Sequence, residues 1–436
     1  MKEIKQIEGF HYFIDNLADE IQKARIRVMT AANAQMLLHY WKIGYYLYLT
    51  QLQLGWGAKV TDQIAGAIRK RFPDSKGYSS RNLKYMCQFA KSYPMAVLRM
   101  MTDQGKMLAA PSVSKVMEMV KELDALSEEM KQKIPERLNT SNLLYEMTDN
   151  QVDVIGQKPP ARLTGINRVL ALFSQQPIGQ IEELFLNSPL ARINWAAHQV
   201  LMDARLTVGQ RFWYVLTIIE HGWSSNVLKL EIGKKLYERQ IKTNKVTNFT
   251  CTLPAPHTDL ADYILKDPYL FDMMTVSEKM SEREVENQLM NMVTKVLLEM
   301  GNCFAFVARQ KHLEVGGQDY YIDLLFYNIR MHAYVVIDLK VHPFTPEDAG
   351  KLNFYINVVN DQMKGEGDND TIGIILCQGK NEIITRYALG GCRQPIGVSD
   401  YECCEAIPRK LKSSLPTEEE VEKALEPLFS MGREVD

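Results

Sequence analysis

A chain of 436 residues, 46% hydrophobic and 24% charged, has material for two or three packed cores and fits neither a disordered nor a fibrous protein. Its formal net charge of −2 at pH 7 excludes a surface that is basic throughout, so any nucleic-acid contact has to be local. Seven cysteines, an odd number with no C-x-x-C pair, exclude a zinc ribbon or a disulfide scaffold and suit free thiols in a reducing cytoplasm.

The N-terminus, MKEIKQIEGFHYF, lacks the apolar core of a signal peptide, and no apolar run is long enough to span a bilayer, so the expectation is a cytoplasmic protein without membrane contact. Residues 10–72 read as helical, with apolar positions recurring through Phe13, Leu17, Ile21 and Ile26 and then Leu37, Leu38, Trp41 and Ile43. Gly55-Trp56-Gly57 marks a turn before a helix from Lys59 to Phe72. After Pro73–Tyr78, Ser79 or Ser80 caps a second helix that runs through Ser92 and stops at Tyr93-Pro94. This helix-turn-helix-like stretch carries eight basic residues against two acids between Lys59 and Lys91. Arg69, Lys70 and Arg71 are candidate phosphate contacts. Arg81, Asn82 and Lys84 stand at the start of the second helix, where recognition helices place their reading side chains. The competing reading is a solvated helical hairpin whose cations pair with acids of the same protein.

Further helical pattern follows through about residue 150 and resumes near Ile166 through Trp195, with an insertion of no readable motif at about 95–190. The stretch NFTCTLPAP at 248–256 reads as an extended linker, which gives a helical N-terminal domain over 1–250, a second domain over 257–415 and an acidic tail over 416–436. In the second domain a helix from Ser277 to Met300 precedes a strand from Cys303 to Val315. A hairpin within 319–341, a helix opened by Pro346 and a buried strand from Thr371 to Cys377 come next, in the order α-β-β-β-α-β.

The hairpin holds the chemistry. Asp323 interrupts YYIDLLFY, Asp338 interrupts AYVVIDLKV, and Lys340 shares a strand face with Asp338. Folding about Arg330–Met331 sets Asp323 opposite Asp338, roughly 5 Å apart at Cβ. Two carboxylates that close repel unless a cation lies between them, and an oxygen site of this kind suits Mg²⁺ or Mn²⁺. Lys340 can then steady negative charge on a phosphate. The competing reading is an ion pair of either acid with Lys340 on a solvated face. The apolar flanks IDLLF and VVID argue for burial instead, where unpaired acids are costly.

Those residues and this order resemble the PD-(D/E)XK nuclease superfamily, and the stretches GWGAKV, GYSSRNLKYMCQFAKSYP, HGWSSNVL, KDPYLFD, YYIDLLFYN, VVIDLKV, AGKLNFYINVV and IGIILC resemble its YhcG-type branch. The resemblance implies a restriction-endonuclease-like C-terminal domain behind an all-α N-terminal region. It also implies a metal site at Asp323 and Asp338, with Lys340 positioning or activating water. It adds a helix acid, carried onto Glu286 with Glu282 and Glu284 left open, and outer-sphere roles for Gln310, taken as the end of the first strand, and Lys351. Two residues depart from the pattern: relatives usually have Glu where Asp338 stands and often Gln at Lys351. The function implied is hydrolysis of DNA phosphodiester bonds in a restriction, defence or mobile-element setting, with homo-oligomerisation or association with restriction-type components left open. The alternatives are a catalytically silent nucleic-acid binder that keeps the fold, and a complex-assembly protein in which Tyr40, Trp41, Tyr45, Tyr46 and Tyr48 are interface aromatics.

Overall fold

The computed structural model of the chain describes residues 10–54, 58–107, 112–132, 178–271, 284, 299–301 and 303–403. Two compact units emerge: Met1–Ala109 with Met119–Ser225, and Ala110–Glu118 with Asn226–Asp436. The first is helical and the second is a mixed sheet with helices.

The first unit contains α1 (Phe10–Leu54), α2 (Ala58–Arg71), α3 (Ser80–Ser92), α4 (Met95–Met107), α6 (Ile178–Asn187), α7 (Trp195–Asp203) and α8 (Val208–His221), while α5 spans Val113–Gln132. Gly55-Trp56-Gly57 lies outside the described residues, as do 133–177 of the expected insertion. The Ser79 hydroxyl accepts from the Asn82 N–H and caps α3 as the sequence requires. α1 and α3 cross so closely that a Cβ on Gly44 would meet the Met86 carbonyl oxygen. Around that crossing Trp41 stacks on Tyr45 at 5.2 Å and donates to the Tyr93 carbonyl at 3.0 Å. Tyr40, Trp41 and Tyr45 are buried, so they are core and not interface aromatics.

In the second unit the chain runs α9 (Ser225–Gly233), β1 (Val246–Thr247), α10 (Phe249–Thr252), α11 (Ala255–Ile264), β2 (Tyr269–Phe271), β3 (Phe304–Val315), β4 (Gln318–Asn328), β5 (Ala333–Leu339), α12 (Pro346–Gln362), β6 (Ile372–Cys377), α13 (Glu382–Gly390) and β7 (Ile396–Cys403). The sheet order is β1-β7-β6-β5-β4-β3, with β2 pairing β7. The segment from β3 through β6 reproduces the expected β-β-β-α-β order, with β5 and β6 parallel. Of the expected helix before β3, the described residues Glu284, Glu299 and Met300 are helical. Central β5 is buried on both faces. Val335, Ile337 and Leu339 join one cluster with Phe326, Ile374 and Leu265, and Val336 joins another with Leu352, Ile356 and Val359 of α12.

The expected linker at 248–256 is folded structure. Buried Asn248 donates to the Gln394 carbonyl and accepts from the Ile396 N–H at 2.8 Å, while Val246 and Thr247 pair with β7. A buried charge network ties residues 231–239 into this unit as well. Glu299 is paired with Arg239, Lys234 and Lys266, and Arg239 also reaches Glu231. The second unit therefore takes up its main run at Asn226, earlier than the expected boundary near 250.

Candidate active site

The β4–β5 turn is fixed by Asn328, whose buried side-chain oxygen accepts from the N–H groups of Arg330 and Met331 at 3.1 and 3.0 Å. From Asn328–Ala333 the register runs to Leu324–Ile337, as folding about Arg330–Met331 requires. The next pair in that register is Asp323–Asp338, and there the ladder stops. The Asp323 carboxylate takes over the pairing, its Oδ2 accepting from the Leu339 N–H at 2.9 Å. Its Oδ1 accepts from Gln310 Nε2 at 3.3 Å. Gln310 lies within β3, opposite Asp323, and not at its end. Its φ of 45° is left-handed and uncommon for a residue with a Cβ.

Asp338 is 1% exposed and Lys340 is 3% exposed, with Lys340 Nζ 2.9 Å from Asp338 Oδ2. The ion pair weighed from sequence is thus present, but it is sealed in the protein instead of solvated. Lys351, half-exposed on α12, brings its Nζ to 3.4 Å from Asp338 Oδ1 and over the Tyr355 ring at 5.4 Å. α12 is started by Asp348, whose carboxylate accepts from the Thr345 N–H at 2.8 Å and its hydroxyl at 3.0 Å.

Burial and then the charge of Asp338 push the Asp323 carboxyl up to about 6, against the opposing pull of the Leu339 N–H and of Lys351 and Lys340. Burial disfavours the Lys351 ammonium, yet Asp338, Tyr355 and Asp323 together outweigh it and raise its pKa above the ordinary lysine value. Both oxygens of Asp338 are shut off from water and face the ammonium groups of Lys340 and Lys351. A buried carboxylate beside a second acid is a donor set that suits a divalent cation. Among the described residues there is no cluster of three metal-binding side chains, so the pair of acids is the described part of such a site. Glu286 and Glu282 lie outside the described residues, and Glu284 is helical and exposed.

The residues singled out for nucleic acid belong to the first unit. Arg69, Lys70 and Arg71 form the exposed last turn of α2, where cations also complement the helix dipole. Arg81 is exposed with its guanidinium 5.7 Å from the Tyr85 ring centroid, and Lys84 is 3.6 Å from Asp62, an acid the Ser80 hydroxyl also contacts. Asn82 departs from expectation because its amide is used internally. Its oxygen accepts from Trp195 Nε1 at 2.8 Å and Gln199 Nε2 at 3.2 Å, and its NH₂ donates to the Gly77 carbonyl. Sequence reasoning missed Tyr355, whose ring supports Lys351; its spacing of four from Lys351 on one helix was the available signal.

Among the described residues no helix is long and apolar enough to cross a membrane. Residues 262–416 match the family described as YhcG PDDEXK nuclease domain, and residues 16–104 match the DUF1016 N-terminal domain. A protein of Escherichia coli (strain K12) named "Putative nuclease YhcG" is 31% identical over 193 residues, which cover 44% of this chain and 52% of that protein. The match thus spans about half the length of that relative. Two solved structures also align at 15% identity. One is an EndoMS–dsDNA2 complex, over 31% of this chain and 48% of that one at a TM-score of 0.21. The other is a repair endonuclease from Pyrococcus abyssi, over 30% and 50% at a TM-score of 0.20. Likeness at those TM-scores supports no conclusion about activity. What the comparisons give is the pair of family matches, the YhcG PDDEXK nuclease domain at residues 262–416 and the DUF1016 N-terminal domain at 16–104.

Proposed function

We propose that the chain is a metal-dependent nuclease that hydrolyses DNA phosphodiester bonds at Asp323, Asp338 and Lys340. The observation that carries this reading is the pairing of Asp323 with a buried Asp338, 2.9 Å from the buried ammonium of Lys340. Asp323 and Asp338 would hold the cation, Mg²⁺ or Mn²⁺, which when bound supplies Lewis-acid polarisation of the scissile phosphate and a more acidic water. Lys340 is fixed by its ion pair and would steady the negative charge that grows on the phosphate. Gln310 and the Leu339 N–H hold the Asp323 carboxylate in place from two sides. Lys351, half-exposed beside Asp338, would meet a backbone phosphate. Substrate affinity comes from the exposed cations of α2 and from Arg81 and Lys84, while Asn82 serves the protein interior.

Incubation of the purified chain with supercoiled plasmid, with Mg²⁺ or Mn²⁺ and with chelator, tests the proposal. Cleavage should require the cation, and Lys340→Ala should lower the rate per folded molecule by about 10²–10³. Removing Lys340 also takes a partner from a buried carboxylate, so the thermal midpoint of each preparation is needed to count folded molecules. Equal cutting in chelator, or full cutting by folded Lys340→Ala, would refute the reading. Binding of DNA without cleavage under any of these conditions would favour the silent binder.

A further inference from the structure

α1 changes character along its length. From Asn33, whose amide donates to the Ile193 carbonyl at 3.0 Å, the helix is packed into its unit, with Leu37, Leu38 and Trp41 buried. Before that point residues 16–32 are exposed on every side. A helix surrounded by water should be polar all round, or polar apart from scattered apolar residues. This one is not: Leu17, Ile21 and Val28 are 47%, 48% and 69% exposed and lie on one stripe.

The stripe has a period. Ile14, Leu17, Ile21, Ala24, Val28 and Ala31 are separated alternately by three and four residues, the spacing of the a and d positions of a heptad. Ile14, Ile21 and Val28 fall at a, and Leu17, Ala24 and Ala31 fall at d. All three a residues are β-branched and the d residue Leu17 is the Leu that goes with them in two parallel strands, while Ala24 and Ala31 make the rest of the d row small. The flanking positions agree. Glu20 falls at g and Arg25 at the following e, the two positions that face each other across a parallel, in-register pair. Arg27 at g meets Ala32 at e, and Phe13 at g meets Ala18, so no like charges are opposed. An antiparallel pair sets g against g and loses the match of Glu20 with Arg25. Ile26 and Met29 lie off this seam, and the seam gives no account of their exposure.

We propose that residues 14–31 of α1 are a homodimerisation element, a parallel two-stranded coiled coil formed with a second copy of this chain. Isolated helices of this length are marginal in water, so burial of the a and d seam supplies what the packed bundle supplies to the rest of α1. Each dimer gains two Glu20–Arg25 pairs by symmetry. Their energetic worth is small, and their role is to set orientation and register. The inference stands apart from the nuclease reading, because its test involves neither metal nor DNA.

The full chain should show a dimer mass by sedimentation across a wide concentration range. Leu17→Glu with Ile21→Glu should give a monomer with an unchanged thermal midpoint of the bundle, since neither residue is in its core. Ile21→Cys should cross-link to a dimer under mild oxidation, whereas Ile26→Cys, on the opposite side of the helix, should cross-link no more than the parent chain. Glu20→Arg or Arg25→Glu alone should weaken the dimer, and the two together should restore it. A monomer at every concentration would overturn the proposal, whether because another segment of the chain or a different protein covers the stripe. Equal cross-linking at positions 21 and 26, or a dimer indifferent to the double Glu variant, would overturn it too.

Discussion

Burial and the neighbouring charge of Asp338 raise the Asp323 carboxyl to about 6, so in the metal-free protein its ionised form is held at a cost. In an unfolded chain the same group titrates near about 3.9. Between those values the folded state binds more protons than the unfolded one, so this group's contribution to stability falls as pH rises and is lost above the folded pKa. Asp323→Asn removes the penalty. In chelator at pH 7.5 it should be more stable than the parent by on the order of 2 kcal/mol, with the difference fading below about pH 4. Thermal melts of both proteins across that range check this, and a less stable Asn variant at pH 7.5 would count against it. The acids themselves were legible in the sequence, because a carboxylate inside VVID or IDLLF has no reason to be there as packing. What was not legible is how Asp323 ends the ladder by binding the Leu339 N–H, or that Lys351 arrives from α12. Both depend on tertiary placement that strand periodicity does not carry.

At the scale of elements, α12 reaches the site by lying close on β6. A Cβ on Gly373 would come within 2.6 Å of Ile356 Cδ1 and 2.7 Å of Leu352 Cδ2. Gly373→Val should therefore push α12 off the sheet, lowering stability by about 1–3 kcal/mol and displacing Lys351 from Asp338. Chemical denaturation against the parent measures the first effect; an unchanged midpoint would show that the layer is loosely packed. The exposed last turn of α2 bears a separate expectation. Replacing Arg69, Lys70 and Arg71 with Ala should weaken DNA binding and reduce the salt slope by about 1 for each phosphate left without its cation. An unchanged slope would leave those cations to the helix dipole alone. Strands and helices with a clear period were readable from sequence, the β4–β5 register included. The stretch 248–256 was misread because Pro254 and Pro256 look like linker punctuation, whereas here Pro254 caps α11 and Pro256 sits in its first turn. β7 escaped because its pairing partners, β1, β2 and β6, are scattered along the chain.

At the scale of the whole molecule, a helical unit and a mixed-sheet unit follow from composition and period, but the point of division does not. The sequence suggests a break at the prolines near 250. The folded chain instead draws residues 226–256 into the sheet unit through β1 and through the buried charges around Glu299. Those charges are far apart in sequence, and nothing local marks them as partners. The proposed chemistry rests on one property of the sheet unit, that Asp323 and Asp338 are the two carboxylates of a single cation site. Calorimetric titration of the full chain with Mn²⁺, run in parallel on Asp323→Asn and Asp338→Asn, measures it most directly. A shared site predicts a binding isotherm for the parent that is lost or weakened by at least tenfold, about 1.4 kcal/mol, in each variant while both remain folded. Mn²⁺ binding of equal strength in the parent and both folded variants would contradict it.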